Sequence, residues 1–253
     1  MNQQVVRPTL TQIWLKLSSA IALSAVLAAC GSSAKKVDLG AGANPQTELQ
    51  RLDTEINQAR EKQYDVMAPG HYKEAVEARD EAREKIADSK SSAKVIEQIS
   101  IGFGHVEAMK AVGQKNEATF QPILAARSSA LAAKANELDK KEFENVDEDF
   151  ADIGKSLEKD NYRLDAKEVA RLETRYMESE LKAVKAFHLG ETKALIEKAE
   201  SDGANRSAPK THQVALTQYA AADSAIEAAR RSPEAFKAQV DKAVAEGKKL
   251  NAV

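Results

Sequence analysis

Helical periodicity governs the chain from residue 46 onward and leaves little room for a β-sheet. The clearest sign is a stripe of apolar residues separated by alternating steps of three and four, which places all of them on one helix face. The stripe consists of Phe143, Val146, Phe150, Ile153 and Leu157. The sequence lacks the sustained alternation of polar residues with Val, Ile, Thr and aromatic residues that indicates strands. We therefore predict an all-α body whose core includes this stripe.

Two further stripes and a series of helix-breaking residues organise that body. The stripes are Ile96, Ile99, Phe103 and Val106, and a run that begins with Val169, Leu172 and Tyr176. Breaks are expected near residues 68–70, 88–92, 113–122, 160–161, 203–209 and 232–233. The sequence thus predicts about six to eight helices over residues 46–253, arranged as an elongated antiparallel bundle of long helical hairpins. We expect the longest helix at about residues 165–201.

Residues 1–29 have the features of an export signal. Arg7 and Lys16 are the only charged residues among the first 16, and residues 17–29 form an apolar stretch of 13 residues. A membrane-spanning helix needs about 20 apolar residues, so this stretch is too short to span a bilayer. It fits the hydrophobic region of a signal peptide, and we predict cleavage after residue 29.

The signal ends in Leu27, Ala28, Ala29 and Cys30, followed by Gly31. This motif resembles the lipobox of bacterial lipoproteins, in which the cysteine is lipidated and becomes the N-terminus after cleavage. Cys30 is the only cysteine of the chain, so no internal disulfide is available, and lipidation would protect an otherwise oxidisable thiol. The resemblance implies membrane attachment through acyl chains such as palmitate. The alternative is an ordinary secretory signal with Cys30 as a bystander.

Residues 30–45 connect the predicted lipid to the helical body. From residue 31 this segment is rich in Gly, Ala and Ser and has no hydrophobic period. We expect a flexible tether with a root-mean-square span of roughly 20 Å. Gly31 stands where an aspartate retains lipoproteins of the enterobacterial type in the inner membrane. The resemblance therefore implies an outer-membrane protein that faces the periplasm.

An internal repeat supports the prediction of helical hairpins. The segments near 46–90 and 190–230 align at a constant offset of 140 positions, and Ala68-Pro69 meets Ala208-Pro209. Both copies have the pattern of a helix, an Ala-Pro turn and a second helix with small residues on one face. We interpret them as related hairpins. Chance alignment of two Ala-rich helices is the alternative.

The second copy carries a family resemblance on residues 194–199, Gly203-Ala204, Ala208-Pro209, Ala215 and Ala222. These positions resemble the Ala-Pro helical hairpin of a family of uncharacterised bacterial lipoproteins. In that family the hairpin often precedes an OmpA-like peptidoglycan-binding domain, and no catalytic residue is established. The resemblance implies a periplasm-facing outer-membrane lipoprotein. The sequence has no mixed α/β segment after its helices, so we expect neither an OmpA-like domain nor peptidoglycan binding.

The sequence contains no strong catalytic or metal-binding motif. Its histidines have neither HExxH spacing nor a cysteine partner, and we expect structural or surface roles for them. They are His71, His105, His188 and His212. The segment 102–105 (Gly-Phe-Gly-His) lacks the rest of a dinucleotide or P-loop motif, so we interpret it as a close-packing or flexible point in a helix.

An acidic cluster lies on the polar side of the Phe143 stripe. It consists of Glu142, Glu144, Asp147, Glu148, Asp149 and Asp152. The cluster lacks the glycine-centred loop of an EF-hand, and weak calcium binding is left as an alternative. We therefore predict no catalytic residue, no metal and no cofactor.

Charge narrows the function classes further. Cleavage would remove Arg7 and Lys16 and take the formal net charge from −2 to −4, which gives no electrostatic basis for binding nucleic acid. We favour a non-enzymatic structural spacer or adaptor, held at the membrane by its lipid and bound to an envelope protein of unidentified kind. The alternative is a small-molecule or lipid-binding helical module of the periplasm. An enzyme is a third class, for which the sequence offers no constellation of residues.

Overall fold

The computed structural model describes residues 34–159, 162 and 165–252, and all regular secondary structure within them is α-helical. The helices are α1 (Pro45–Glu61), α2 (Tyr64–Met67), α3 (Pro69–Ala87), α4 (Ser92–Ala132), α5 (Ala135–Leu138), α6 (Lys140–Glu158), α7 (Ala166–Ser201), α8 (Ala204–Ser207), α9 (Pro209–Ala229) and α10 (Pro233–Leu250). The predicted all-α helical bundle is confirmed. The predicted signal peptide and the lipobox residues Leu27, Ala28, Ala29 and Cys30 lie outside the described residues.

The described part of the chain has ten helices, of which α2, α5 and α8 are single turns of four residues. The other seven fall within the predicted range. One predicted break is wrong, because α4 runs without interruption through residues 113–122 and carries Pro122 in its interior. Phe120 and Ile123 are fully buried beside that proline, and their packing holds the helix together across it. At 41 residues α4 is therefore longer than α7, which has 36.

Three hairpins share one unusual connection. Each first helix is followed by a residue in the left-handed conformation, which is Gln63, Lys134 or Gly203 with φ of 58°, 59° and 88°. A single helical turn comes next, and then one non-helical residue before the second helix begins. Glycine adopts this conformation without strain, whereas glutamine and lysine must be held there by their surroundings. Two of the hairpins lie in the segments that the sequence repeat relates.

The middle hairpin, α4–α5–α6, is not apparent from the sequence repeat. Its turn contains Asp139 and Lys140 where the other two turns have Ala-Pro. Pro69 and Pro209 occupy the first position of their helices, where the missing N–H costs no hydrogen bond. Lys140 takes the corresponding position in α6, so the backbone geometry persists although the sequence signature is lost.

Two apolar regions succeed each other along α7. The larger core joins α1 to α6 with the N-terminal half of α7, and it includes Leu52, Ile99, Phe150 and Tyr176. All five residues of the Phe143 stripe are buried within it, with exposures of 0–8%. The smaller core consists of two clusters between the C-terminal half of α7 and the helices α9 and α10, one around Phe236 and one around Ile196, and Tyr219 contacts both. Fully buried alanines on α3 and α9 allow close approach of the neighbouring helices.

Residues 34–39, which we call the N-terminal strap, lie against α4. The Val37 N–H donates to the Ser100 carbonyl at 3.1 Å, and the Ser100 hydroxyl donates back to the Val37 carbonyl. A Cβ on Gly104 would come within 2.3 Å of the Lys35 carbonyl oxygen, so this close approach requires glycine. Part of the segment assigned to the tether is thus held on the helical body. Residues 30–33 precede the described residues.

Among the helices of the described ranges, none has both the length and the apolar character that a membrane span requires.

Candidate functional site

A cleft opens beside α7, between the turn of the middle hairpin and the loop that joins α9 to α10. Its volume is about 430 Å³, which falls within the range of ligand-binding clefts. The lining residues are Ser129, Ala132, Ala133, Lys134, Glu180, Val184, Phe187, His188, Arg230, Arg231 and Pro233. We call it the α7 cleft. It lies where the two apolar cores meet.

Helical spacing brings four side chains of α7 to the cleft. Glu180, Val184, Phe187 and His188 are separated by four, three and one residues, so they share one helix face. Phe187 is 64% exposed, more than any other large apolar side chain in the described part of the chain. Phe187 thus adds exposed aromatic surface to the apolar lining of the cleft.

His188 connects that exposed ring to the smaller core. Its ring packs edge-to-face on Phe187 and also on buried Phe236, with ring centroids 4.9 Å apart in both pairs. Burial lowers the pKa of His188. The ring is therefore neutral at pH 7 and acts here as an aromatic spacer.

Glu180 is the buried charge of the cleft, with a side chain that is 3% exposed. Two neighbouring arginines neutralise it. Arg231 donates from Nε at 2.6 Å and from Nη2 at 2.8 Å, and Arg230 donates from Nε at 3.1 Å. Burial alone would raise the pKa of Glu180, but the hydrogen bonds from Arg231 and Arg230 outweigh burial and lower it. The carboxylate is thus ionised, and it fixes both guanidinium groups at the rim.

The rim carries more positive than negative charge. Lys134 lies in the left-handed turn of the middle hairpin, is exposed and has no ion pair within the described residues. With Arg230 and Arg231 it gives three cations against the single carboxylate of Glu180. Val184, Phe187 and nearby alanines provide an apolar floor. The arrangement can hold an apolar group that bears a negative charge.

The structure brings two of the predicted histidines together. The Nδ1 atoms of His71 on α3 and His105 on α4 are 3.1 Å apart, and both side chains are buried. Burial lowers the pKa of both rings, and the charge of His71 lowers that of His105 further. Glu158 and Glu74 act in the opposite direction on His71. His212 lies apart from this pair and contacts Glu200.

Within the ranges that the structure describes, no three His, Cys, Asp or Glu side chains converge as metal ligands would. His71 and His105 instead contact each other where α3 packs on α4.

Cations on the neighbouring helices bind three of the six residues of the predicted acidic cluster. Arg127 binds Asp147 through two hydrogen bonds of 2.9 and 2.8 Å. Arg175 on α7 binds Glu142 at 2.8 Å and also contacts Asp149. These carboxylates join α4, α6 and α7 by ion pairs. Their positions follow from packing between helices, and the calcium alternative gains no support from them.

Sequence reasoning missed the α7 cleft. Arg230-Arg231 before Ser232-Pro233 and the exposed Phe187 were available as local signals. Their convergence with Lys134 depends on how three distant segments pack, which no spacing rule reports. The predicted site residues Leu27, Ala28, Ala29 and Cys30 lie outside the described residues and stay predictions.

No protein-family model, curated protein or solved structure matches this chain, so the resemblance to Ala-Pro hairpin lipoproteins stays a prediction that rests on the residues quoted for it.

Proposed function

We propose that this protein is a lipid-anchored, periplasm-facing protein of the outer membrane that acts as a non-enzymatic adaptor for another envelope component. The observation that carries the proposal is the α7 cleft, with Phe187 exposed beside a preorganised group of cations. Exposed aromatic and arginine side chains dominate the binding energy of protein interfaces. A rigid helical body gives such a surface a fixed geometry.

The N-terminal strap limits how far the helical body could lie from a lipid on Cys30. If Cys30 carries the lipid, residues 30–33 are all that separates it from the strap on α4. Four extended residues reach at most about 14 Å. The body would then remain close to the membrane surface. This geometry suits an adaptor that meets its partner near the bilayer better than a long spacer.

Photo-crosslinking in living cells tests the adaptor function. Phe187 is replaced by benzoylphenylalanine, and the same replacement is made at Val214 on α9 as a control. Val214 is 42% exposed and does not line the cleft. We expect a discrete adduct from position 187 that is absent from position 214. Identical adducts from both positions, or none from 187, would contradict a docking role for the cleft.

A second experiment tests the anchor. Replacing Cys30 by serine should leave an unlipidated precursor, because serine cannot carry the thioether-linked lipid. Metabolic labelling with a palmitate analogue should mark the protein that retains Cys30 and should not mark the variant. Density fractionation should recover the labelled protein with outer-membrane markers. A labelled Cys30→Ser protein would contradict lipidation, and recovery with inner-membrane markers would contradict the proposed location.

The volume of the cleft also supports a second candidate, a small-molecule or lipid-binding module. At about 430 Å³ it is large enough for a drug-sized molecule. Native mass spectrometry of the purified full chain distinguishes the two functions. A retained mass that disappears in Phe187→Ala favours a small ligand, whereas a bare protein together with the cellular adduct favours an adaptor.

A further inference from the structure

We infer that the occupant of the α7 cleft is a peptide segment of the partner that places a carboxylate next to a large apolar side chain. This inference rests on the proposed adaptor function. It specifies the chemistry of the partner through the charges and apolar surface of the cleft.

The carboxylate that lines the cleft is already neutralised by the two arginines. Glu180 is the one carboxylate that lines the cleft, and both arginines bind it. Arg230 uses Nε for this contact, which leaves both of its terminal nitrogens without another hydrogen bond within the described residues. Arg231 keeps Nη1. Together with Lys134, these donors exceed what Glu180 can accept.

The nearby acids Asp223, Glu227 and Glu234 lie outside the lining of the cleft. Asp223 and Glu227 on α9 both bind Lys185, at 2.9 and 2.6 Å, on a face of α7 that does not line the cleft. Glu234 follows Pro233 in the first turn of α10 and is not part of the lining. The side chains that line the cleft therefore carry more positive than negative charge, which is complementary to an anionic group.

The fixed positions of the two guanidinium groups favour anion binding in addition to their charge. The guanidinium groups of Arg230 and Arg231 are held by a buried carboxylate, so an incoming anion need not immobilise two long side chains. Guanidinium nitrogens arranged in this way suit the planar geometry of a carboxylate. The anion is therefore expected at the end of the cleft formed by the α9–α10 loop.

The apolar lining of the cleft indicates which apolar group the occupant carries. Val184 and Phe187 lie one helical turn apart, and Ala132, Ala133 and Pro233 complete the apolar lining. The small alanines leave room for a bulky group on the exposed face of the Phe187 ring. One aromatic side chain with its flanking backbone suits an open cleft of this volume. The expected motif is thus an aromatic or large aliphatic residue next to Asp or Glu.

The test uses two capped, unlabelled peptides and the full-length protein in detergent. One peptide is Gly-Ser-Asp-Trp-Asp-Gly, and the other is Gly-Ser-Asn-Trp-Asn-Gly, which differs only in charge. Isothermal titration calorimetry should show binding of the acidic peptide that is about fivefold or more tighter than binding of its neutral counterpart. The affinity should fall as salt is raised, since the carboxylate meets exposed cations.

Two variants locate the binding. Phe187→Ala should weaken the acidic peptide about fivefold or more, and Lys134→Asn should weaken it about two- to fivefold. Asparagine tolerates the left-handed conformation of residue 134, so the turn is retained. Val214→Ala, which truncates an exposed apolar residue outside the cleft, should leave the affinity unchanged.

Several outcomes would overturn the inference. Equal binding of both peptides excludes the carboxylate, and unchanged binding to Phe187→Ala shows nonspecific attraction. If neither peptide binds while dodecanoate binds in a Phe187-dependent manner, the site belongs to a lipid. If neither peptide binds but the cellular adduct at position 187 persists, the adaptor function stands and the chemistry inferred for its partner is wrong.

Discussion

Replacing Phe150 by alanine should remove one of the largest fully buried side chains from the main core. Phe150 is 0% exposed, and its ring centroid lies 5.9 Å from that of Phe120. It belongs to α6, which packs against α2, α3, α4, α5 and α7. Truncation of a buried phenylalanine costs about 3–5 kcal/mol, from lost apolar transfer and from the cavity left behind. That is a large share of the stability of a typical domain, about 5–15 kcal/mol.

Thermal unfolding followed by the far-ultraviolet circular dichroism signal measures the effect. For a body of this size the loss corresponds to a fall in Tm of about 6–20 °C. Phe187→Ala is the matched control, because it removes the same atoms from a side chain that is 64% exposed. Its free energy of unfolding should change by no more than about 0.5 kcal/mol.

Either result can refute the reasoning. A Tm for Phe150→Ala within about 2 °C of that of the protein without the substitution would show that the Phe143 stripe is not part of the core. A large fall in Tm for Phe187→Ala would show that this ring is buried in solution, and the α7 cleft would then offer no surface for docking.

Three further predictions concern pH, the N-terminal strap and hydrodynamic size. Burial lowers the pKa of His71 and His105, so below the ordinary histidine pKa of about 6.5 the unfolded chain binds more protons than the folded protein. The contribution of the two neutral rings to stability should therefore be fully present above about pH 6.5 and should decrease below it. His105→Gln should reduce the difference in Tm between pH 7.5 and pH 5.5, and an unchanged difference would contradict the lowered pKa of this pair. Gly104→Ala should displace the strap and speed hydrogen exchange at residues 34–39, whereas Gly190→Ala, with open space around its Cβ, should leave that exchange unaltered. The predicted elongation of the bundle requires a hydrodynamic radius above that of a compact globule of 27.5 kDa, and sedimentation velocity measures it.

The core was predictable where the sequence pattern and the packing agree. Every residue of the Phe143 stripe is buried, because a three- and four-residue spacing determines which face of a helix is apolar. The predicted break at 113–122 is wrong because tertiary contacts outweigh local preference. Gly113 lies against the Tyr64 ring, and Phe120 is buried about two turns further on, so α4 gains more from continuing than Pro122 costs.

Local sequence patterns do not predict the middle hairpin or the cleft. A lysine at position 134 gives no sign that its backbone is left-handed, because glycine or asparagine is the usual indicator. The roles of Arg230 and Arg231 depend on the burial of Glu180, which is about 50 positions earlier in the chain. Pairings at such separation are set by the packing of α7 against the α9–α10 loop, and a single sequence does not encode them in any visible spacing.

The succession of two apolar cores along α7 has a consequence for cooperativity. Ala183 belongs to the larger core and Leu189 to the smaller one, so only about two turns of one helix connect them there. The smaller core, with α9 and α10, can open while the larger core stays folded, and unfolding would then proceed in two steps. Lys134 lies on one side of this junction and the arginine pair on the other. A ligand that bridges them would merge the two steps into one, so occupancy of the cleft could be read from the shape of the melting curve.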